Sequence, residues 1–427
     1  MCQHEGSQDK RDGPVVTESD NADGIPFPWH LGAFDAHCHP TDTMASSASI
    51  SSMRAQVLTV MATRSQDQQL VAQVAGQLGV ASSLDGVGKG SKVVAAFGWH
   101  PWFSHQIYDD TAAQPTFDLS SHGDSVEAAK RAHYQAVLQP SPAKDTQWEE
   151  FVASLPTPIA LSSFLDATRG YLSNHPLALV GEIGLDKAFR LPRQWSSSPS
   201  SPMVVPDRDE GLTPGGREGR PLSPYRVRMP HQQAVLEAQL RLAGDAGRAV
   251  SVHGVQAHGV LFESLCRCWK GHELEYVSKR KRKMDAAQPP PSDSEEEEDD
   301  DEQQTPRRRI AQQTGGKPFP PRICLHSFSG SPEILHQWLQ PTNPADIFFS
   351  FSAAVNMGGE AGRARTVEVI RQVPDDKLLV ESDLHIAGEE MDRALEWMYR
   401  EVCRIKGWGL EEGVSTIRKN FERFIFG

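Results

Sequence analysis

The chain has 427 residues, 38% of them hydrophobic, and a formal net charge of -13. That length can bury a sizeable core, no run of eighteen apolar residues is present to span a bilayer, and the charge argues against a generally basic nucleic-acid-binding surface. The N-terminal MCQHEGSQDKRDG lacks the basic-then-apolar pattern of a signal peptide, so a protein of the cytoplasm, the nucleus or both is expected, with no membrane contact.

Residues 1–29 are polar and aperiodic and read as a disordered lead-in. The rest, 30–427, reads as a single domain. Four short apolar runs follow, AFDAH, QVLTVM, KVVAAFGW and LALVGEIG, each too brief for a helix. A low-complexity stretch at about 191–229 mixes Ser, Pro, Gly and charge, and a helical pattern, HQQAVLEAQLRLAGDAG, covers 231–247. The run RAVSVH comes next. A second low-complexity stretch at about 270–320 holds KRKRK (Lys279 to Lys283), a proline run, an acid block from Asp293 to Glu302 and a basic block at Arg307 to Arg309. It cannot form a core. Beyond it RICLH, IFFSFS and KLLVES alternate with helical patterns at 332–340 and 361–373. Apolar runs separated by amphipathic helices imply parallel strands buried on both faces. Eight of them, in the length left once the weak segments are removed, fit an α/β fold of the (β/α)8 TIM-barrel type with disordered insertions. An open doubly wound sheet is the alternative, but no GxGxxG or P-loop anchors one. Cys2, Cys38, Cys266, Cys268, Cys324 and Cys403 read as reduced thiols, mostly core.

In such a barrel the active site forms at the C-terminal ends of the strands. The first run ends in His37-Cys38-His39, the third in Gly98-Trp99-His100-Pro101, the fourth in Gly181-Glu182, the fifth in His253, the sixth in His326 and the eighth in Glu381-Ser382-Asp383. His-x-His alone is a weak signal, since 16 histidines produce such a triplet by composition about 0.6 times. At a strand end, however, residues i and i+2 share a face, so both imidazoles can enter the mouth. Glu182 sits in an apolar pattern where an unpaired carboxylate is costly; a buried salt bridge would relieve that cost, and two cations sharing the carboxylate would relieve it better. His253 and His326 end equivalent strands. Asp383 could ligate or cap the next helix. One ion on His37, His39, Glu182 and Asp383 and a second on Glu182, His253 and His326 would leave coordination positions open, as catalytic sites do. Asp383, at the edge, could then accept a proton from water as general base.

At these residues the chain resembles a known family. FDAHCHPTD, GWHPW, VGEIGLD, the helix PHQQAVLEAQLRLA, SVHG, CLHSFSGS and LLVESD, in this order, resemble the TatD family of metal-dependent deoxyribonucleases, from about Phe34 to Phe424. The resemblance implies an amidohydrolase-type barrel, metal ligation by His37, His39, Glu182, His253, His326 and Asp383 with Glu182 as the bridge, and catalysis carried by Glu182 and Asp383. It also implies two divalent ions and a DNA substrate, single-stranded or trimmed from 3′ ends. His100 matches a family position near the substrate phosphate; a structural turn histidine before Pro101 is the alternative. The sequence departs from the family after Asp383, where Leu384-His385-Ile386-Ala387 replaces a small residue and proline. Histidine and carboxylate donors accept magnesium, manganese or zinc arrangements.

Two other functions stay open. One is amide or ester hydrolysis at the same ions, because a fold does not specify the bond attacked. The other is a protein-interaction role, as for family members described as partners of cell-cycle proteins, with the charged insertion 270–320 recruiting the partner. The basic blocks could form a nuclear import signal and Ser292 and Ser294 could be kinase targets, or all could belong to an ordinary solvated loop.

Overall fold

The computed structural model describes residues 24–80, 90–141, 146–193, 220–275 and 317–427. Among them eight parallel strands form a ring: β1 (Phe34–Cys38), β2 (Val57–Met61), β3 (Val93–Ala96), β4 (Val180–Asp186), β5 (Val250–Val255), β6 (Arg322–Leu325), β7 (Asp346–Phe351) and β8 (Leu378–Val380). β1 to β3 pair in chain order, as do β4 to β8. Backbone hydrogen bonds join the two arcs at both seams. Phe97 N donates to Leu179 O between β3 and β4, and Asp383 N donates to His37 O between β8 and β1. The ring therefore leaves no open edge.

Alternation along each strand sends side chains to two different cores. Phe34, Val94, Ala96, Leu179, Cys324, Phe348 and Leu379 cluster inside the ring with Phe421 and Phe424 of the C-terminal helix. That helix, α10 (Leu410–Phe426), closes the end of the barrel opposite the site, and Arg322 fixes it by donating to the Phe424 and Ile425 carbonyls. Leu58, Val93, Ile323, Phe349 and Leu378 face outward beneath the crossover helices. These are α1 (Ser65–Leu78), α5 (Met229–Asp245), α6 (His258–Trp269), α7 (Pro332–Trp338), α8 (Glu360–Gln372) and α9 (Glu389–Lys406). In α9, Met391, Leu395, Met398 and Val402 are buried at spacings of three and four, the stripe that docks a helix on a sheet.

The crossover from β3 to β4 is the longest. It carries α2 (Val126–Val137), α3 (Thr146–Ser154) and α4 (Leu161–Asn174), none of which the apolar-run reading located. Their inward residues Tyr134, Val137, Trp148, Phe151 and Phe164 join Trp99, Phe103 and Phe189 in a satellite core that walls one side of the barrel mouth.

Residues 1–23, 194–219 and 276–316, with KRKRK, the acid block, Arg307 to Arg309, Ser292 and Ser294, lie outside the described residues. The flanks of the expected low-complexity stretches take part in the fold. Leu191 N donates to Tyr225 O, and Arg226–Val227 pairs antiparallel with Leu138–Gln139. Leu274 N donates to Thr342 O, and Phe319 is buried. At the N-terminus Phe27 packs on Trp29 and Tyr399, so ordered chain begins before Trp29 because an aromatic finds a groove on α9. Among the described residues no helix is long and apolar enough to cross a membrane. Cys38, Cys268, Cys324 and Cys403 are buried free thiols, as expected, while Cys266 is exposed.

Candidate metal centre

Because all eight strands run the same way, their C-terminal ends meet at one mouth. His37 lies in β1 and His39 just past it, Glu182 in β4, His253 in β5, His326 just past β6, Asp383 just past β8 and His100 past β3. The five histidines and Glu182 are buried, whereas the Asp383 side chain keeps 15% of its surface at the edge of the cluster. Asp383 is not the cap of the following helix. α9 starts at Glu389, behind Gly388, and Asp383 sits in the tight turn before it at φ 55°.

Glu182 is the hub. Its Oε2 lies 3.3 Å from His37 Nε2 and 3.3 Å from His39 Nε2. Its Oε1 lies 2.9 Å from His253 Nδ1, 2.8 Å from His326 Nε2 and 3.0 Å from His100 Nε2. Asp383 Oδ1 faces the first pair, 3.5 Å from His39 Nε2 and 3.8 Å from His37 Nε2. Within the pairs the ring nitrogens are 3.1 Å apart for His37 and His39 and 3.2 Å apart for His253 and His326. All seven sequence-predicted residues are thus brought together, with two pairs of imidazoles divided between the two oxygens of one carboxylate.

His253 stands between two carboxylates, with Nε2 3.2 Å from Asp186 Oδ2 and Nδ1 2.9 Å from Glu182 Oε1; with a cation at the centre, Nε2 would keep its proton on Asp186 and Nδ1 would turn its lone pair inward. His100 Nδ1 accepts from Trp102 N at 3.1 Å, so its Nε2 carries the proton and donates to Glu182. His100 therefore supports the hub carboxylate and offers it no lone pair. His37 Nδ1 meets Ser251 Oγ at 2.8 Å.

A ring of acids behind these residues was missed by the sequence reading. Asp186 Oδ2 also accepts from Trp102 Nε1 at 2.6 Å, and Gln232 clamps the Asp186 backbone by bonding to both its N and its O. Glu381 lies 3.5 Å from His326 Nδ1 and is held by Ser327 and Ser350. Asp35 accepts from His37 N and from Ser382 N and Oγ, tying β1 to the end of β8. The signal was strand spacing. Asp35 stands two residues from His37 and Asp186 four from Glu182, even intervals within one strand, and Glu381 immediately follows the run that leads to Asp383.

The electrostatics are those of a few carboxylates facing many imidazoles. Burial disfavours the Glu182 carboxylate, but His100, His326 and His37 outweigh it and hold its pKa well below the ordinary value. Burial pulls His39 down, yet hydrogen bonds to Asp383 and Glu182 and their charges raise it to about 10. His326 is likewise raised, by Glu182 and Glu381 against burial. His37 is lowered, chiefly by burial and then by His326. Burial takes His100 down to about 4, which keeps it neutral.

His37, His39 and Glu182 form a group that could hold a metal ion. The donor chemistry fits: imidazole nitrogens crowd within 3.1 Å of one another around a carboxylate oxygen, and His39 Nδ1 is buried with no hydrogen-bond partner. A cation between such lone pairs removes their mutual repulsion.

The TatD-related DNase family matches residues 34–426. The chain belongs to that family. The chain is similar to the Cut9-interacting protein scn1 of Schizosaccharomyces pombe, 36% identical over 392 residues that cover 92% of this chain and 98% of that protein. An uncharacterized deoxyribonuclease of Saccharomyces cerevisiae is 25% identical over 405 residues, covering 92% of this chain and 98% of that one. Among solved structures, a TatD homologue from Escherichia coli K12 has a TM-score of 0.44 at 15% identity, covering 92% of this chain and 97% of that one. An uncharacterized amidohydrolase from S. cerevisiae has a TM-score of 0.48 at 13% identity, covering 93% and 100%.

Proposed function

We propose that this TatD-family protein is a divalent-metal-dependent phosphodiesterase that degrades DNA, acting on single strands or 3′ ends, within one barrel domain spanning 30–427. The observation that carries the reading is the division of Glu182, one oxygen toward His37 and His39 and the other toward His253 and His326. His37, His39, Glu182 and Asp383 would hold one ion, and Glu182, His253 and His326 a second, with magnesium, manganese or zinc all compatible with the donors. When bound, such ions supply Lewis-acid polarisation of a phosphoryl group and acidify water.

The protein's own residues then do the following. Asp383, partly exposed and held ionised against burial by its hydrogen bond to His39 and by the facing histidines, would accept a proton from attacking water on the carboxylate oxygen turned away from the ion, while the phosphorus–oxygen bond to the leaving nucleotide breaks. Glu182 keeps its charge because His100 donates to it, and His253 is held by Asp186 with its lone pair inward. The satellite core and Trp102 wall the mouth on one side and limit water access.

A protein-partner role is the second reading, favoured by the name of the 36% identical S. pombe relative; the stretch 270–320 would be the recruiting segment. Purified protein stripped of metal and resupplied with magnesium, manganese or zinc separates the two. The nuclease reading expects release of label from 3′-labelled single-stranded DNA, restored by metal and lost in Glu182→Gln and His253→Ala. No cleavage by fully metallated protein would overturn it, and would leave amide or ester substrates or the partner role.

A further inference from the structure

Trp102 offers no ligand atom, yet the fold fixes it beside the centre. It stands in the 3-10 segment Pro101–Gln106, with its backbone N donating to His100 Nδ1 at 3.1 Å. Its indole Nε1 donates to Asp186 Oδ2 at 2.6 Å, and the other oxygen of Asp186 accepts from Phe189 N at 2.8 Å. One carboxylate thereby aligns two rings. The indole lies nearly parallel to the buried Phe189 ring, with centroids 4.5 Å apart and planes 13° apart. Its centroid is also 4.8 Å from that of His100 and 6.1 Å from that of His253. Phe189 is buried behind it, whereas Trp102 stays partly exposed. Phe103 also packs against His100 but is buried, so among the described residues the aromatic surface a ligand can reach on this side of the centre is the indole.

We propose that Trp102 is a substrate-binding residue whose indole, backed by Phe189, stacks on the nucleobase joined to the phosphate at the centre. The inference rests on the phosphodiesterase reading for that phosphate. A base lies one sugar away from its phosphate, which is the reach from a group held at His253 to a ring beside it. An indole pinned through Nε1 and pressed on a second ring loses little freedom when a base settles on it, so the platform is preorganised. Its chemistry also sets specificity. Every base has a π-face, so the platform favours nucleotides over other phosphate esters without choosing among the four bases. A base stacked and paired within a duplex must first be freed at a cost, so single strands and frayed ends are preferred.

Paired affinities on the full chain, loaded with magnesium and checked for metal content, test it without turnover. Titration calorimetry compares thymidine 5′-monophosphate with 2-deoxyribose 5-phosphate, which has the same sugar and phosphate but no base. The wild type should bind the nucleotide about tenfold more tightly. Trp102→Leu should erase that ratio, and Trp102→Phe, which keeps a ring on Phe189, should retain most of it. Both variants lose the bond to Asp186, so an effect passed through Asp186 to the metal weakens both ligands alike in both variants. A wild type that binds the two ligands equally, or does not bind the nucleotide, would overturn the proposal. So would Trp102→Leu weakening both ligands by one factor, because the indole would then only prop Asp186. If the wild type cleaves no DNA yet prefers the nucleotide through Trp102, the nuclease reading fails and this one stands. Cleavage without that preference has the opposite meaning.

Discussion

His133, in the middle of α2, is buried among polar partners that suit its neutral form. Its Nε2 meets the His105 carbonyl at 2.8 Å, so that nitrogen carries a proton, and its Nδ1 is 2.8 Å from Thr116 Oγ1, which can donate to it. Burial takes its pKa down from 6.5 to about 3, partly opposed by the bond to His105 and reinforced by His231. The neighbours His105 and His231 are also lowered, chiefly by burial. The sign follows from proton uptake. Between pH 6.5 and 3 the unfolded chain binds a proton at this position and the folded chain does not, so stability is full above 6.5 and drains away as the pH falls. At pH 5, about 1.5 pH units below the ordinary value, His133 alone costs about 2 kcal/mol at 1.36 kcal/mol per unit. The bond partner His105 and the His231 contact to Ser104 O both hold the segment Pro101–Gln106, which carries Trp102 at the mouth. Acid therefore acts on the wall of the site. Urea unfolding of the wild type and His133→Gln at pH 7 and pH 5 isolates the effect, since any metal loss at pH 5 is common to both. The wild type should lose about 2 kcal/mol more than the variant over that interval. Equal losses would refute a neutral, buried His133.

Asp186→Asn, which leaves an amide where His253 Nε2 expects an acceptor, should lower metal affinity roughly 10-100-fold, read by chelator competition. Gly184→Ala places a Cβ onto the His253 carbonyl at φ +147°, so β4 and β5 must separate; we expect at least about 1–3 kcal/mol of destabilisation by denaturant melts, with metal lost in parallel. Trp338→Ala, removing a buried ring that packs edge-on against Phe262 and Trp269, should cost about 3–5 kcal/mol in the same melts and leave metal stoichiometry intact.

The barrel was legible because a parallel strand covered on both faces reads as an unbroken apolar run, and each of the eight runs became a strand. Helix 231–247 likewise appears as Met229–Asp245, since Val235, Leu236, Leu240 and Ala243 keep a clear inward stripe. The candidate site, as a cluster of histidines and acids, was legible because side chains that end these parallel runs meet at one mouth. The β3-to-β4 crossover was not, because α2, α3 and the start of α4 bury their apolar residues in a satellite core, so their pattern is diluted by polar positions. Asp35, Asp186 and Glu381 were passed over because a carboxylate that serves another side chain looks, in sequence, like any acid at a strand end. Asp383 as a helix cap failed on distance, since the turn through Gly388 intervenes before α9.

The central claim is that one carboxylate, Glu182, joins two metal ions. Electron paramagnetic resonance of the manganese-loaded protein tests it most directly, because two Mn(II) ions bridged by a carboxylate are exchange-coupled. The account predicts two manganese per chain with a coupled spectrum that collapses to isolated-ion lines, with manganese lost, in Glu182→Gln. A single uncoupled manganese in the wild type, or coupling that survives Glu182→Gln, would contradict it.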